Sequence, residues 1–122
     1  MVFFRVDSND TIAGGHIMRC LTIAKALIKS GTDVHFLVAD NNPCLVLDAA
    51  GISYTVLGTD WRNLMSDAEQ VRRILQAEVR PVLFIDTYSV TEEYVSFFKP
   101  VCKIVYLGSK CEKLGPLDLL IN

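Results

Sequence analysis

The sequence predicts an α/β domain: three layers built around a mainly parallel sheet. Three observations carry this. Short runs rich in Val, Ile and Phe alternate with longer segments of helical periodicity. One of the runs, Pro81–Ile85, is apolar nearly throughout, as a strand covered on both faces must be. The chain has 122 residues, 51% of them hydrophobic and 21% charged, which is one domain's worth of sequence with enough apolar surface for a full core.

The elements follow in order. Val2–Val6 is the first strand. A polar, glycine-containing loop from Asp7 to Gly15 leads to a helix over about His16–Ser30, where Ile17, Leu21, Ala24, Leu27 and Ile28 recur at helical spacing and Gly31 supplies the stop. Val34–Ala39 is the second strand. Pro43 opens a short helix through Ala50 that Gly51 ends, proline suiting the first turn and glycine the position after the last. Ile52–Leu57 is the third strand. The next helix, about Ser66–Ala77, has Val71, Ile74 and Leu75 on one face, Asp67 and Glu69 in its first turn and Arg72 and Arg73 later, in line with the helix dipole. After the Pro81–Ile85 strand, a Thr-x-Glu signal starts a helix over Thr91–Phe98, and Cys102–Leu107 is a further strand. Leu117–Asn122 reads as one more apolar strand. An apolar run at the end of a chain needs pairing or cover, so the chain is expected to be the amino-terminal part of a longer protein.

Composition excludes several roles. Twelve Lys and Arg against 14 Asp and Glu give a formal charge of −2, so no global field is present to hold nucleic acid or an anionic membrane. No apolar run approaches the roughly 20 residues of a membrane span, and charges inside Val2–Asp7 spoil a signal peptide, so a cytoplasmic location is expected. Cys20, Cys44, Cys102 and Cys111 form no C-x-x-C pair or zinc-type spacing. They read as small buried hydrophobes or spare thiols, and no metal is expected.

Ligands of open α/β sheets bind beyond the carboxyl ends of the strands, so the loops after the first and fourth strands are the places to look. The first holds Gly14-Gly15-His16 directly before a helix, where a bare backbone and unpaired N–H groups suit a phosphate or a sugar oxygen. The positive end of that helix favours a neutral imidazole at His16, which makes it a candidate general base; the alternative is a histidine that caps or packs on the Gly-Gly turn. The dinucleotide fingerprint fails on glycine spacing even though Asp40 stands where its acid would, and no G-K-[ST] of a phosphate loop follows. The second loop is Asp86-Thr87-Tyr88-Ser89. Asp86 there can orient a donor or bind a hydroxyl, and Tyr88 offers a phenol and a flat face for a sugar; the alternative is plain loop capping. Arg5 and Arg19 flank the first loop and, taken singly, read as surface or ion-pairing arginines. His35, alternating within its strand, reads as structural.

Taken together, Phe4-Arg5-Val6-Asp7-Ser8 and Ile12-Ala13-Gly14-Gly15-His16-Ile17-Met18-Arg19-Cys20-Leu21 resemble the amino terminus of the UDP-sugar hydrolases of pseudaminic acid synthesis and of related spore coat polysaccharide biosynthesis proteins. Leu83–Tyr88 is similar to that family's strand ending in Asp-x-Tyr, with Thr87 where the family often has His, and Asp118–Asn122 to its Asp-x-Leu segment. The resemblance implies that residues 1–122 are the Rossmann-like, sugar-side amino-terminal half of a glycosyltransferase-B fold, whose carboxy-terminal nucleotide-binding domain lies outside this chain. It implies release of UDP from a UDP-2,4-diacetamido-2,4,6-trideoxyhexose by water, with inversion and without a metal or cofactor. His16 would be the base. Asp86 and Tyr88 would line the sugar side, and Arg5, Asp7, Gly14, Gly15 and Arg19 would shape the loop that holds it. The implied partners are the UDP-linked amino sugar and the second domain, with a homodimer left open. Two alternatives stand beside the hydrolase: a glycosyltransferase of the same fold, and a non-catalytic sugar-binding or assembly module. Since a cleft enzyme needs both walls, catalysis is expected of the full-length protein and not of the isolated chain.

Overall fold

A computed structural model describes residues 1–8, 15–108 and 117–121, apart from the side chain of Leu120. Gly14 and Cys111 lie outside the described residues. Strands β1 (Val2–Val6), β2 (Val34–Val38), β3 (Tyr54–Val56), β4 (Val82–Asp86), β5 (Lys103–Leu107) and β6 (Leu119–Ile121) form one sheet in the order β3-β2-β1-β4-β5-β6, every pair parallel. Helices α1 (Gly15–Lys29), α2 (Cys44–Ala50), α3 (Ala68–Gln76) and α4 (Glu92–Phe98) connect the strands and cover the sheet. The predicted α/β, Rossmann-like three-layer architecture is therefore the observed one.

Parallel register places Phe4 beside Phe36 of β2 and Phe84 of β4. These three rings pack in a row at centroid distances of 4.9 and 4.8 Å, under the face of α1 that carries Ile17, Cys20, Leu21 and Ala24. Residues one step along each strand point the other way. Phe3, Leu37, Leu83, Ile85 and Ile104 meet Val71 and Leu75 of α3 and Tyr94, Val95 and Phe98 of α4. Both faces of the central strands are thus covered, and each large apolar side chain fully buried there contributes about 1.5–3 kcal/mol.

The local signals act as the sequence suggests. Gly51 closes α2 in the left-handed region (φ 68°), its N–H returned to Asp48. Thr91 caps α4, its Oγ1 accepting the Tyr94 N–H at 3.2 Å. Within the expected terminal strand, Leu119–Ile121 pairs as β6 on β5, and Asp118 fixes it there: its carboxylate accepts the Ile104 N–H at 2.7 Å and the Lys99 ammonium at 3.0 Å.

One expectation about the third helix is corrected. Asp67 is the last residue of a 3-10 turn, Leu64–Asp67, that precedes α3, but its carboxylate makes no capping bond and is wholly buried. The cause lies across the sheet, where a buried arginine draws it inward, as described below.

Candidate functional site

The strand order runs outward from β1 to β3 and then returns to the other side of β1 with β4. The reversal between β1 and β4 is the place where open α/β sheets form a ligand crevice, because the loops leaving the two strands diverge. The structure brings His16, Arg19, Cys20, Asp86 and Tyr88 together at this point.

Asp86 ends β4, and its side chain, 1% exposed, faces the first turn of α1. Four polar contacts converge on it. His16 Nδ1 and Arg19 Nη2 (2.7 Å) meet Oδ1, while Arg19 Nε (2.7 Å) and the Cys20 thiol (3.3 Å) meet Oδ2. The arginine fork is bidentate, the strongest geometry for a carboxylate, and this hydrogen bonding raises the Arg19 pKa further, against a smaller cost of burial. Burial and the neighbouring Asp86 carboxylate push the Cys20 thiol well up, so it remains an S–H donor. Cysteine 20 is as buried as its apolar context predicts, yet it serves as a polar partner.

A neutral His16 protonated at Nδ1 donates to Asp86 and carries its lone pair on Nε2. His16 is 8% exposed and packs edge-on to the Tyr88 ring, at 4.5 Å between centroids and 83° between planes, while Tyr88 is 69% exposed. Gly15 lies exposed at the start of α1, and among the described residues none beyond its own turn comes within 4 Å of where a Cβ would stand. Thr87 is buried, and its Oγ1 accepts the Ser89 N–H at 3.2 Å, tightening the loop that presents Tyr88. Asp40 turns its carboxylate to its own loop, accepting from the backbone and side chain of Asn42.

Arg5 and Asp7 lie on the opposite face of the same strand edge. Arg5 is completely buried, its Nη1 on Asp7 and its Nε on Asp67, both at 2.9 Å. Asp67 also accepts the Tyr94 hydroxyl at 2.8 Å, and Asp7 accepts the Ala39 N–H beyond β2 at 2.9 Å. Burial opposes the charge on Arg5, but the two carboxylates outweigh it and raise the guanidinium pKa. Burial likewise pushes the Asp67 carboxyl up, against the pull of Arg5 and Tyr94. This network ties the loop after β1 to the end of β2 and the 3-10 turn before α3. Asp67 escaped sequence reading because its partner is 62 positions away. His35 is structural as expected, its two ring nitrogens on the hydroxyls of Ser53 and Thr55, both at 2.8 Å.

A groove of about 610 Å³ between the loops entering β4 and β5, lined by Arg80, Pro81, Lys99 and Lys103 among others, lies at the amino edge of the sheet, away from this cluster. Among the described residues, no group of three His, Cys, Asp or Glu side chains is placed to hold a metal ion, and no helix is long and apolar enough to cross a membrane. The chain matches no protein-family model, no curated protein and no solved structure.

Proposed function

We propose that the carboxyl edge between β1 and β4 is a general-base site, and that it serves the sugar side of a nucleotide-sugar hydrolase acting in surface polysaccharide synthesis. The observation that carries the reading is the Asp86–His16 pair at the switch point, where a buried carboxylate meets Nδ1 of an imidazole at a helix start; on this reading Nδ1 holds the proton and Nε2 is the basic nitrogen. On this reading Nε2 takes a proton from water as the water oxygen bonds to the anomeric carbon. The bond from that carbon to the UDP oxygen breaks, and its electron pair leaves with UDP. Asp86 keeps its charge and steadies the imidazolium that forms. The exposed Tyr88 ring beside His16 supplies a flat apolar face for the sugar, and Arg5 with Asp7 holds the loop from behind. The resemblance in sequence assigns the nucleotide to a second α/β domain in the full-length protein.

The test is UDP release from a UDP-2,4-diacetamido-2,4,6-trideoxyhexose by the full-length protein and its His16→Asn variant. Loss of at least about 100-fold in kcat, with the melting temperature retained, is expected for removal of a general base. Unchanged turnover in a folded variant removes His16 from the mechanism. Transfer of the sugar to an added acceptor, in place of free sugar, reassigns the site to a glycosyltransferase.

A further inference from the structure

We propose that Arg19, together with the Cys20 thiol, is a positioning residue that dictates which nitrogen of His16 is basic by holding Asp86 as a saturated, acceptor-only carboxylate. The inference rests on the general-base reading above and adds to it what fixes the base.

A carboxylate offers about four lone-pair sites. All four on Asp86 are taken within the chain, two by Arg19 and one each by His16 and Cys20. No site is left for a sugar hydroxyl, so Asp86 acts through His16 and does not line the sugar side itself. Guanidinium has donors only, and Arg19 places two bonds on the carboxylate at 2.7 Å, its Nη2 standing at a longer 3.4 Å from His16 Nδ1. With Arg19 donating to both of its oxygens, Asp86 is left to accept from the imidazole. The proton between Asp86 and His16 therefore belongs to Nδ1, and the lone pair to Nε2. His16, Arg19 and Cys20 stand at positions i, i+3 and i+4 of α1, which puts them on one helix face over the end of β4. The spacing H-x-x-R-C is the helix side of a socket for one carboxylate, and this gives the motif a physical reason.

The experiment reads the tautomer directly. The chain is labelled with 15N-histidine, and two-bond proton–nitrogen spectra are recorded at about pH 8.5, where histidine is ordinarily neutral. His16 is expected in the Nδ1–H form in the unaltered chain. The Asp86→Asn variant, whose amide donates to Nδ1, supplies the reference for the Nε2–H form. Arg19→Met, which removes both arginine donors from a part-exposed position, is expected to shift His16 measurably toward that reference. Arg19→Gln is read in the same way if the methionine variant does not fold. In the full-length enzyme Arg19→Met should lower kcat by at least about tenfold and leave KM within about twofold, the pattern of a lost transition-state contribution. An Nε2–H form in the unaltered chain, or an unchanged spectrum in both Arg19 variants, overturns the proposal. So does a rise in KM alone, which assigns Arg19 to substrate contact. Absence of turnover in the unaltered enzyme refutes the hydrolase reading, while the spectra still decide whether Arg19 positions His16.

Discussion

Replacing Arg5 by Met tests how much of the fold depends on one buried charge. The guanidinium is 0% exposed and is shared by two carboxylates that are themselves 2% and 0% exposed, Asp7 and Asp67. Methionine fills much of the same volume and supplies no donor. Stripping one partner from a buried ion pair costs roughly 3–5 kcal/mol, and here two carboxylates lose theirs together. Asp7 keeps the Ala39 N–H and Asp67 keeps the Tyr94 hydroxyl, which limits the loss to about 5 kcal/mol at pH 7. Against a total stability of about 5–15 kcal/mol this is severe, and at roughly 4 °C per kcal/mol for a chain of this size it lowers Tm by about 20 °C. The pH dependence has a definite sign. Burial already holds the folded Asp67 carboxyl above its ordinary value, and Arg5 is the main influence pulling it down. Without Arg5 the folded value rises further. A raised folded value means the contribution is full below the unfolded carboxylate range and is lost as pH rises through the folded value. The variant should therefore recover part of its deficit between pH 7 and pH 5. Thermal unfolding by circular dichroism at the two pH values measures both effects. A Tm loss below about 5 °C at pH 7, or a deficit that grows on acidification, would refute the reasoning.

Three further outcomes are expected. Thr91→Ala removes the cap that receives the Tyr94 N–H and should cost about 1 kcal/mol, read as a Tm lower by about 4 °C. Gly51→Ala forces a Cβ into the left-handed closure of α2 (φ 68°) with open space around it, so the cost is conformational alone, about 1 kcal/mol in urea unfolding. The Ile104 N–H and the Lys99 ammonium hold the Asp118 carboxyl below its usual value, so its contribution is present above the ordinary carboxylate range and fades as pH falls through the folded value. The Tm difference between the unaltered chain and Asp118→Ala should accordingly narrow below about pH 4, and amide exchange at Ile104 should quicken in the variant at neutral pH.

The fold was legible because its signals are local. Apolar runs, the Gly31 and Gly51 stops and the Thr91 cap each act within a few residues, and the observed elements fall within a residue or two of where these place them. Half of the candidate site was legible for the same reason: His16 stands in the first turn of a helix and Asp86 at the end of the most apolar strand. What joins them was not. The Cys20 thiol reaches a carboxylate 66 positions away, and Asp67 reaches Arg5 across 62, and such pairings leave no periodic mark. Cys20 looked like a small hydrophobe because its neighbours in sequence are apolar, while its polar partner lies on another strand. The i, i+3, i+4 spacing of His16, Arg19 and Cys20 was the one local trace of the carboxylate they share.

Neighbouring residues of β1 serve opposite faces, with Val6 among the phenylalanines under α1 and Arg5 beneath Asp67 and Tyr94. A parallel sheet of uniformly apolar strands has little else to tell one alignment from the next. Sliding β1 by a single residue would exchange the two faces, driving a guanidinium into a dry aromatic layer where Asp86 is already fully occupied, and leaving Asp67 facing an aliphatic side chain. The buried charge works in this way as a key for strand alignment: it makes the neighbouring register intolerable, and so sets the height at which the ends of β1 and β4, and the residues they carry, stand relative to one another.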